Sequence, residues 1–241
     1  MTAADIAVII GAILLLAGWL RIHIWWKYRR LMRRVTGRRR GTPSERSLIL
    51  ALLKRGLRPD DLFHDLYIHT GGGKYAQVDA VAVTDHGLVV FEVKDYSGRI
   101  YGRGYNDYWT QVLANGGENH RFYNPVRQNE GHIAALRRAV SGYGFIPMSS
   151  VIIFYGDCSL RDMGDLPYDT YVGYPSDLKR ILKNVRRRAP KAAYRSPDKL
   201  RALLRKGVEN GRDRGVRRDH ARRVRTLSRP RSWWRRIFRL R

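Results

Sequence analysis

Cysteine is almost missing from this chain of 241 residues: Cys158 stands alone, which excludes an internal disulfide and any cysteine zinc cluster. That usage fits a reducing compartment. Histidine supplies no substitute, because His64, His69, His86 and His120 are scattered without metal-ligand spacing. Acids are scarce too, 21 against 47 Lys and Arg, for a net charge of +26. The scarcity is local. Residues 46–182 balance 15 basic against 15 acidic side chains, whereas residues 21–45 carry nine basic residues and one acid, Glu45. Residues 183–241 carry 23 basic residues and four acids. A neutral domain therefore lies between two basic arms. Such arms attract polyanions, either nucleic acid or an anionic membrane surface. No internal repeat is present.

Charge is absent from Ile6 to Leu20, about 22 Å of helix, and continuing through Trp26 reaches about 31 Å, enough for the ~30 Å hydrocarbon core. Arg21 can snorkel, and Trp25 and Trp26 suit the interfacial aromatic belt. Only Asp5 precedes the run, and Lys27, Arg29, Arg30, Arg33, Arg34, Arg38, Arg39 and Arg40 follow it. A cleaved signal peptide has the opposite charge order. Residues 1–26 are thus expected to form a single-pass anchor in the cell membrane, N-terminus outside and the remainder cytoplasmic. Residues 27–41 read as a basic juxtamembrane linker, 42–188 as the domain, and 189–241 as a basic tail, partly helical or disordered.

Within the domain, Thr42-Pro43-Ser44-Glu45 opens a helix as a capping box, with Leu48, Ile49, Leu52 and Leu53 facing a core. Strands are expected at Leu66–Ile68, Val78–Val83, Leu88–Val93, Ile100–Tyr101, Tyr108–Val112, Val151–Tyr155 and Tyr171–Val172. Turns are expected at Gly71-Gly72-Gly73 and Asn115-Gly116-Gly117. Helices start at Asn124-Pro125, at Ser176 as N-cap, and at Ser196-Pro197 with Leu200, Leu203 and Leu204. Helices flanking a run of strands predict an α/β fold with a mixed β-sheet, preceded by one transmembrane helix.

The chemistry gathers in one hairpin. Side chains alternate along a strand, so Gln77, Asp79, Val81 and Val83 share one face, as do Leu88, Val90, Glu92 and Lys94. A turn pairing Val83 with Leu88 sets Asp79 opposite Glu92 and Gln77 opposite Lys94. Opposed strand residues have Cβ atoms about 4.5–5.5 Å apart, where like charges repel. Two carboxylates in an apolar hairpin call for a cation between them, and a divalent metal beside Lys94 outlines a phosphodiester-cleaving site. Oxygen ligands suit Mg²⁺ or Mn²⁺.

The order Gln77-x-Asp79, Glu92-x-Lys94, Tyr96-Ser97-Gly98, Trp109-Thr110-Gln111 and Asn124-Pro125-x-x-Gln128-Asn129 resembles the nuclease-related domain, over roughly residues 40–160. That family is similar to the PD-(D/E)xK nucleases, which implies a restriction-endonuclease-like core and DNA as partner. The resemblance makes Asp79 and Glu92 metal ligands and gives Lys94 the attacking water, to position or deprotonate. It makes Glu45 the helical acid that supports the metal, and places Gln77 and Gln128 near the site. Val78 and Ala80 depart from the family pattern.

Plainer readings stand beside these. Glu45 is explained by its capping box, Trp109 and Tyr108 by the core, and His132, four residues after Gln128, by a satisfied core or surface position. Glu92 and Lys94 on an exposed face would be an ordinary ion pair worth under ~1 kcal/mol. The sequence thus admits a membrane-anchored nuclease, a catalytically idle nucleic-acid-binding scaffold, or a lipid-surface protein.

Overall fold

The computed structural model describes residues 2–37, 39–113 and 118–228. The expected turn at Asn115–Gly117 and the apolar-basic segment Ser232–Phe238 lie outside them. Helix α1 (Ala3–Val35) exposes its large apolar residues from Ile6 to Trp26, Leu15 at 77 % and Trp19 at 61 % among them, and is long and apolar enough to cross a membrane.

The helix does not stop at Trp26. It continues through the basic run, where Tyr28, Leu31, Met32 and Val35 pack against the domain core at i, i+3, i+4, i+7 spacing. Residues 27–35 are therefore a docked helix rather than a loose linker. Arg34 pairs with Asp60 at 2.8 Å, and Arg40 sits in a buried ion pair with Asp65 at 3.0 Å. The Arg40 guanidinium, which also donates to the Asp65 and Val208 carbonyls, is not a free contact for a polyanion.

Helix α2 (Pro43–Lys54) is capped by Thr42, whose hydroxyl accepts the Glu45 amide N–H. It buries Leu48, Ile49, Leu52 and Leu53 as expected. Strands β1 (Leu62–Gly71), β2 (Lys74–Thr84) and β3 (Gly87–Asp95) form an antiparallel meander. Three short strands follow, β4 (Gly98–Tyr101), β5 (Tyr108–Val112) and β6 (Asn119–Tyr123), and then α3 (Pro125–Ala139). The chain next forms β7 (Gly144–Phe145) and β8 (Met148–Tyr155), which enters the main sheet parallel to β3. After β9 (Cys158–Arg161), β10 (Thr170–Gly173) completes the main sheet in the order β1-β2-β3-β8-β10. The second sheet runs β6-β5-β4-β9. The Val151–Tyr155 run is central, as its unbroken apolar character requires.

Helix α4 (Leu178–Arg188) joins α1 and α2 on one face of the main sheet, while α3 and α5 (Pro197–Asn210) cover the other. Ser176 is not the cap of α4: Pro175–Asp177 is a 3-10 turn, and the Asp177 carboxylate accepts the Tyr174 N–H. Strand β11 (Ala193–Tyr194) pairs with β7, and α6 (Arg214–Ser228) lies on β2 through His220 and the Tyr75 carbonyl. Leu200 and Leu204 of α5 are fully buried. The segment expected to be a tail beyond residue 188 thus supplies part of the core.

The inner face of the second sheet closes a third cluster. Trp109 stacks on Phe154, ring centroids 6.0 Å apart and 6° from parallel, and its Nε1 donates to the Arg103 carbonyl. Gly102 makes this stacking possible, since any Cβ there would collide with the indole. The core reading of Trp109 holds. Tyr108, by contrast, is half exposed.

Candidate active site

The β2–β3 register pairs Val83 with Leu88 and continues to Ala80 and Phe91. There the ladder ends, and the Asp79 carboxylate takes over, accepting the Val93 N–H at 2.8 Å. Strict alternation fails at this point. Val78 and Val81 belong to the same apolar cluster, three residues apart, as do Phe63 and Leu66 on the partner strand. Between the latter two, Asp65 takes a left-handed φ of 54°. The expected shared face of Gln77, Asp79, Val81 and Val83 is therefore broken beside Asp79. Gln77 lies across from Tyr67 and donates to Asp65 at 3.1 Å, and the β2–β3 pairing stops at Ala80 and Phe91, short of Gln77 and Lys94.

On β3 the alternation is regular. Leu88 and Val90 enter the α3 side of the core, and Glu92 and Lys94 follow on that side. Glu92 is 1 % exposed, so the ordinary surface ion pair is excluded. Lys94 Nζ lies 2.6 Å from Glu92 Oε1 and donates to Gln128 Oε1 at 2.9 Å, which puts Gln128 beside the β3 pair as expected. Asn124 caps α3 and its amide donates to the Arg103, Gly104 and Asn106 carbonyls. Asn129, fully buried, donates to the Val90 carbonyl and Ser150 Oγ. Together these bonds fix α3 over β3.

Glu45 enters from α2, within electrostatic reach of Asp79 and Glu92. It is nearly buried, receives the Thr42 hydroxyl at 3.0 Å, and faces His64 Nε2 at 3.2 Å. His64 Nδ1 is in turn 2.7 Å from Thr36 Oγ1, the residue that ends α1. The capping-box reading of Glu45 is thus half right: Thr42 bonds the Glu45 amide, but the carboxylate is engaged by His64 and the Thr42 hydroxyl. Gly41, at φ 65°, permits this approach, because a Cβ there would strike both Glu45 and His64.

The charges act on one another. Burial, reinforced by Glu92 and then Glu45, pushes the Asp79 carboxyl well above the usual range, against the Val93 N–H and Lys94. Burial also raises Glu92, with Lys94 opposing it. For Lys94, burial favours the neutral amine but Glu92 and Asp79 outweigh it, so the group is held as an ammonium. Burial acts against the Glu45 carboxylate as well, yet His64 and Thr42 hold its pKa below the usual range. His132, one turn after Gln128, is lowered to about 4, chiefly by burial and then by Lys94, and is neutral at pH 7. Its Nδ1 lies 3.4 Å from Glu92 Oε2, a distance within ion-pair range. No ion pair forms, since the imidazole is uncharged, and neither atom has a hydrogen-bond partner.

These observations test the fit of a divalent cation. An orphaned carboxylate oxygen, an orphaned imidazole nitrogen and neighbouring carboxylates whose charge raises the Asp79 pKa form a donor set short of positive charge. The donor chemistry suits Mg²⁺ or Mn²⁺. As arranged, with Lys94 against Glu92, no three His, Cys, Asp or Glu among the described residues are grouped to share one ion. The structure thus puts Glu92, Lys94, Gln128 and His132 side by side, holds Glu45 against His64 within electrostatic reach of Asp79 and Glu92, and gives Gln77 to Asp65.

The Asp79 shift sets a pH dependence. A carboxyl raised in the folded state contributes stability below the ordinary carboxylate range and loses it as pH rises through the raised value. Asp79→Asn, melted beside wild type in EDTA, should gain relative stability as pH rises from about 4 to 8, at about 2–4 °C per kcal/mol. A constant difference in Tm across that range contradicts the charge repulsion.

Residues 40–155 match the nuclease-related domain family. An uncharacterized protein of Bacillus anthracis is 28 % identical over 123 residues, 51 % of this chain and 56 % of that protein. The chain therefore spans little more than half the length of that curated relative. No solved structure matches the chain. The carboxylates and lysine of the β2–β3 hairpin lie inside residues 40–155, the segment that matches the nuclease-related domain family.

Proposed function

We propose that the protein is a membrane-anchored, metal-dependent nuclease that cleaves DNA phosphodiester bonds on the cytoplasmic side. The observation that carries this reading is the buried Glu92 with an orphaned oxygen, flanked by Lys94 and repelled by Asp79 and Glu45. Asp79, Glu92 and Glu45 would hold Mg²⁺ or Mn²⁺. The ion supplies charge neutralisation of the scissile phosphate and a more acidic water when bound.

The chain's own groups do the rest. Lys94, held as an ammonium, stabilises charge developing on the phosphate and orients water rather than removing its proton. Gln128 fixes the Lys94 head, and His64 with Thr36 fixes Glu45. Gln77 acts at one remove, holding Asp65 beside the kink that aims Asp79. Calorimetric titration of the full chain in detergent should show Mn²⁺ binding that Asp79→Asn weakens at least tenfold. Absence of binding to wild type contradicts the assigned ligands.

One observation favours a second reading, an idle nucleic-acid-binding scaffold: Lys94 already neutralises Glu92 at 2.6 Å without a metal. The same titration separates the two.

The membrane part rests on the exposed apolar surface of α1 and the basic residues that follow it. Cysteines placed at Thr2 and at Asp198, whose side chain is 99 % exposed, report orientation in a Cys158→Ser background. An impermeant thiol reagent outside intact cells should mark position 2 alone. Labelling of position 198 reverses the topology.

A further inference from the structure

The outer face of the second sheet has no role in the site described above. Its inner residues Ile100, Trp109, Phe122 and Leu160 are packed into the third apolar cluster. Alternation therefore sends Arg99, Tyr101, Tyr108, Thr110, Arg121, Tyr123 and Arg161 to the other side. The register lines them up across the strands. Arg161 pairs with Tyr101, Tyr101 with Thr110, and Thr110 with Arg121. The next rows hold Arg99 beside Val112, and Tyr108 beside Tyr123. Rows on one face lie about 7 Å apart along the strand, on the scale of an extended nucleotide.

The rings are exposed where a lone sheet face would ordinarily be polar. Tyr101 is 37 % exposed, Tyr108 50 % and Tyr123 49 %. Arg121 lies 5.0 Å from the Tyr108 centroid, and Tyr123 meets Tyr108 edge-on at 6.2 Å. No outward position of β4, β5, β6 or β9 is Asp or Glu. Of the acids beside these strands, Asp162 and Asp165 pair with Arg103, Asp107 with Arg127, and Glu118 with His120.

From this arrangement we infer that the outer face of the β6-β5-β4-β9 sheet is a binding platform for single-stranded nucleic acid. Arg99, Arg121 and Arg161 meet the phosphates, and Tyr101, Tyr108 and Tyr123 stack unpaired bases. Charge complementarity selects a polyanion, and the rings select one whose bases have free faces, which a duplex hides. Thr110, Asn119 and Ser159 add hydrogen-bonding groups between them. A membrane surface fits less well, because the face carries no Leu, Ile, Phe or Trp to enter the acyl boundary. The chain passes from Lys94 to β4 through Asp95, Tyr96 and Ser97, and Gln111 Nε2 donates to the Ser97 carbonyl. The binding claim stands without the cleavage reading.

The test measures binding by the full chain in detergent, in EDTA so that cleavage is silent. The probe is a labelled oligo-deoxythymidine of roughly 20 nucleotides, compared with a duplex of equal length. Replacing Tyr101, Tyr108 and Tyr123 together by Ala should weaken single-strand binding by roughly 20-fold or more. Duplex binding should change less than about twofold, and the salt slope should hold. The triple Tyr→Phe variant should bind like wild type. Replacing the three arginines by Gln should lower the slope of log K against log salt by about 2. Thermal melts check folding, and the single Tyr123→Ala variant serves if the triple one melts early. Wild-type affinity in a folded Ala variant overturns the platform. So does equal loss on duplex and single strand, or loss confined to phosphatidylserine vesicles.

Discussion

Lys94→Ala should lower the Mn²⁺-dependent cleavage rate by about 10²–10³, the usual cost of losing one preorganised stabilising group, and leave Mn²⁺ affinity within a few fold of wild type. The lysine touches Glu92 and Gln128 and is held as an ammonium. Its removal exposes the Glu92 charge, an effect that bound metal offsets, so the loss falls on the rate. Single-turnover cleavage at saturating enzyme separates the two effects. Activity that survives Lys94→Ala means that another residue carries the charge. A loss of metal binding in parallel with rate means that Lys94 organises the carboxylates instead.

Truncation should divide the C-terminal region in two. A chain ending after residue 196 loses Leu200 and Leu204, both fully buried against Leu66 and Ile68 in one cluster. Each such leucine is worth about 2–5 kcal/mol. The pair alone approaches the whole stability of an ordinary domain, about 5–15 kcal/mol. It also removes Val208, whose carbonyl receives the Arg40 guanidinium that pairs with Asp65. This truncation should yield no cooperative thermal transition. A chain ending after residue 228 keeps α5 and α6 and should melt like the full chain. It loses six arginines of the terminal segment, so its DNA affinity should fall and its salt slope flatten by roughly 0.9 log units per lost phosphate contact. A normal melt for the shorter chain contradicts the assignment of α5 to the core.

What was legible in the sequence was whatever obeyed a single period. The Val83–Leu88 register and the Glu92–Lys94 face follow from alternation and a short turn, and Leu200 with Leu204 shows the helical stripe of α5. Two signals were masked by charge. Arginines around Tyr28, Leu31, Met32 and Val35 made a docked helix look like a linker, and the basic tail hid how deeply α5 is buried. The kink beside Asp79 needed Asp65 in a left-handed conformation, which no side-chain pattern announces, and it sends Gln77 to Asp65. His64, which precedes the strand expected at Leu66–Ile68, gave no signal, and the structure starts β1 at Leu62. His132 gave one, its four-residue spacing from Gln128, and burial beside Glu92 supplies the meaning.

The central claim is metal-dependent phosphodiester cleavage by the Asp79–Glu92–Lys94 group. Its most direct test is plasmid DNA incubated with the purified full chain in detergent, with Mg²⁺, Mn²⁺ or EDTA, alongside Asp79→Asn and Lys94→Ala. The account predicts nicking or degradation by wild type with either metal, none in EDTA, and none by Asp79→Asn. Intact plasmid in every metal, with no heat of metal binding, would contradict it and leave the domain a binding module.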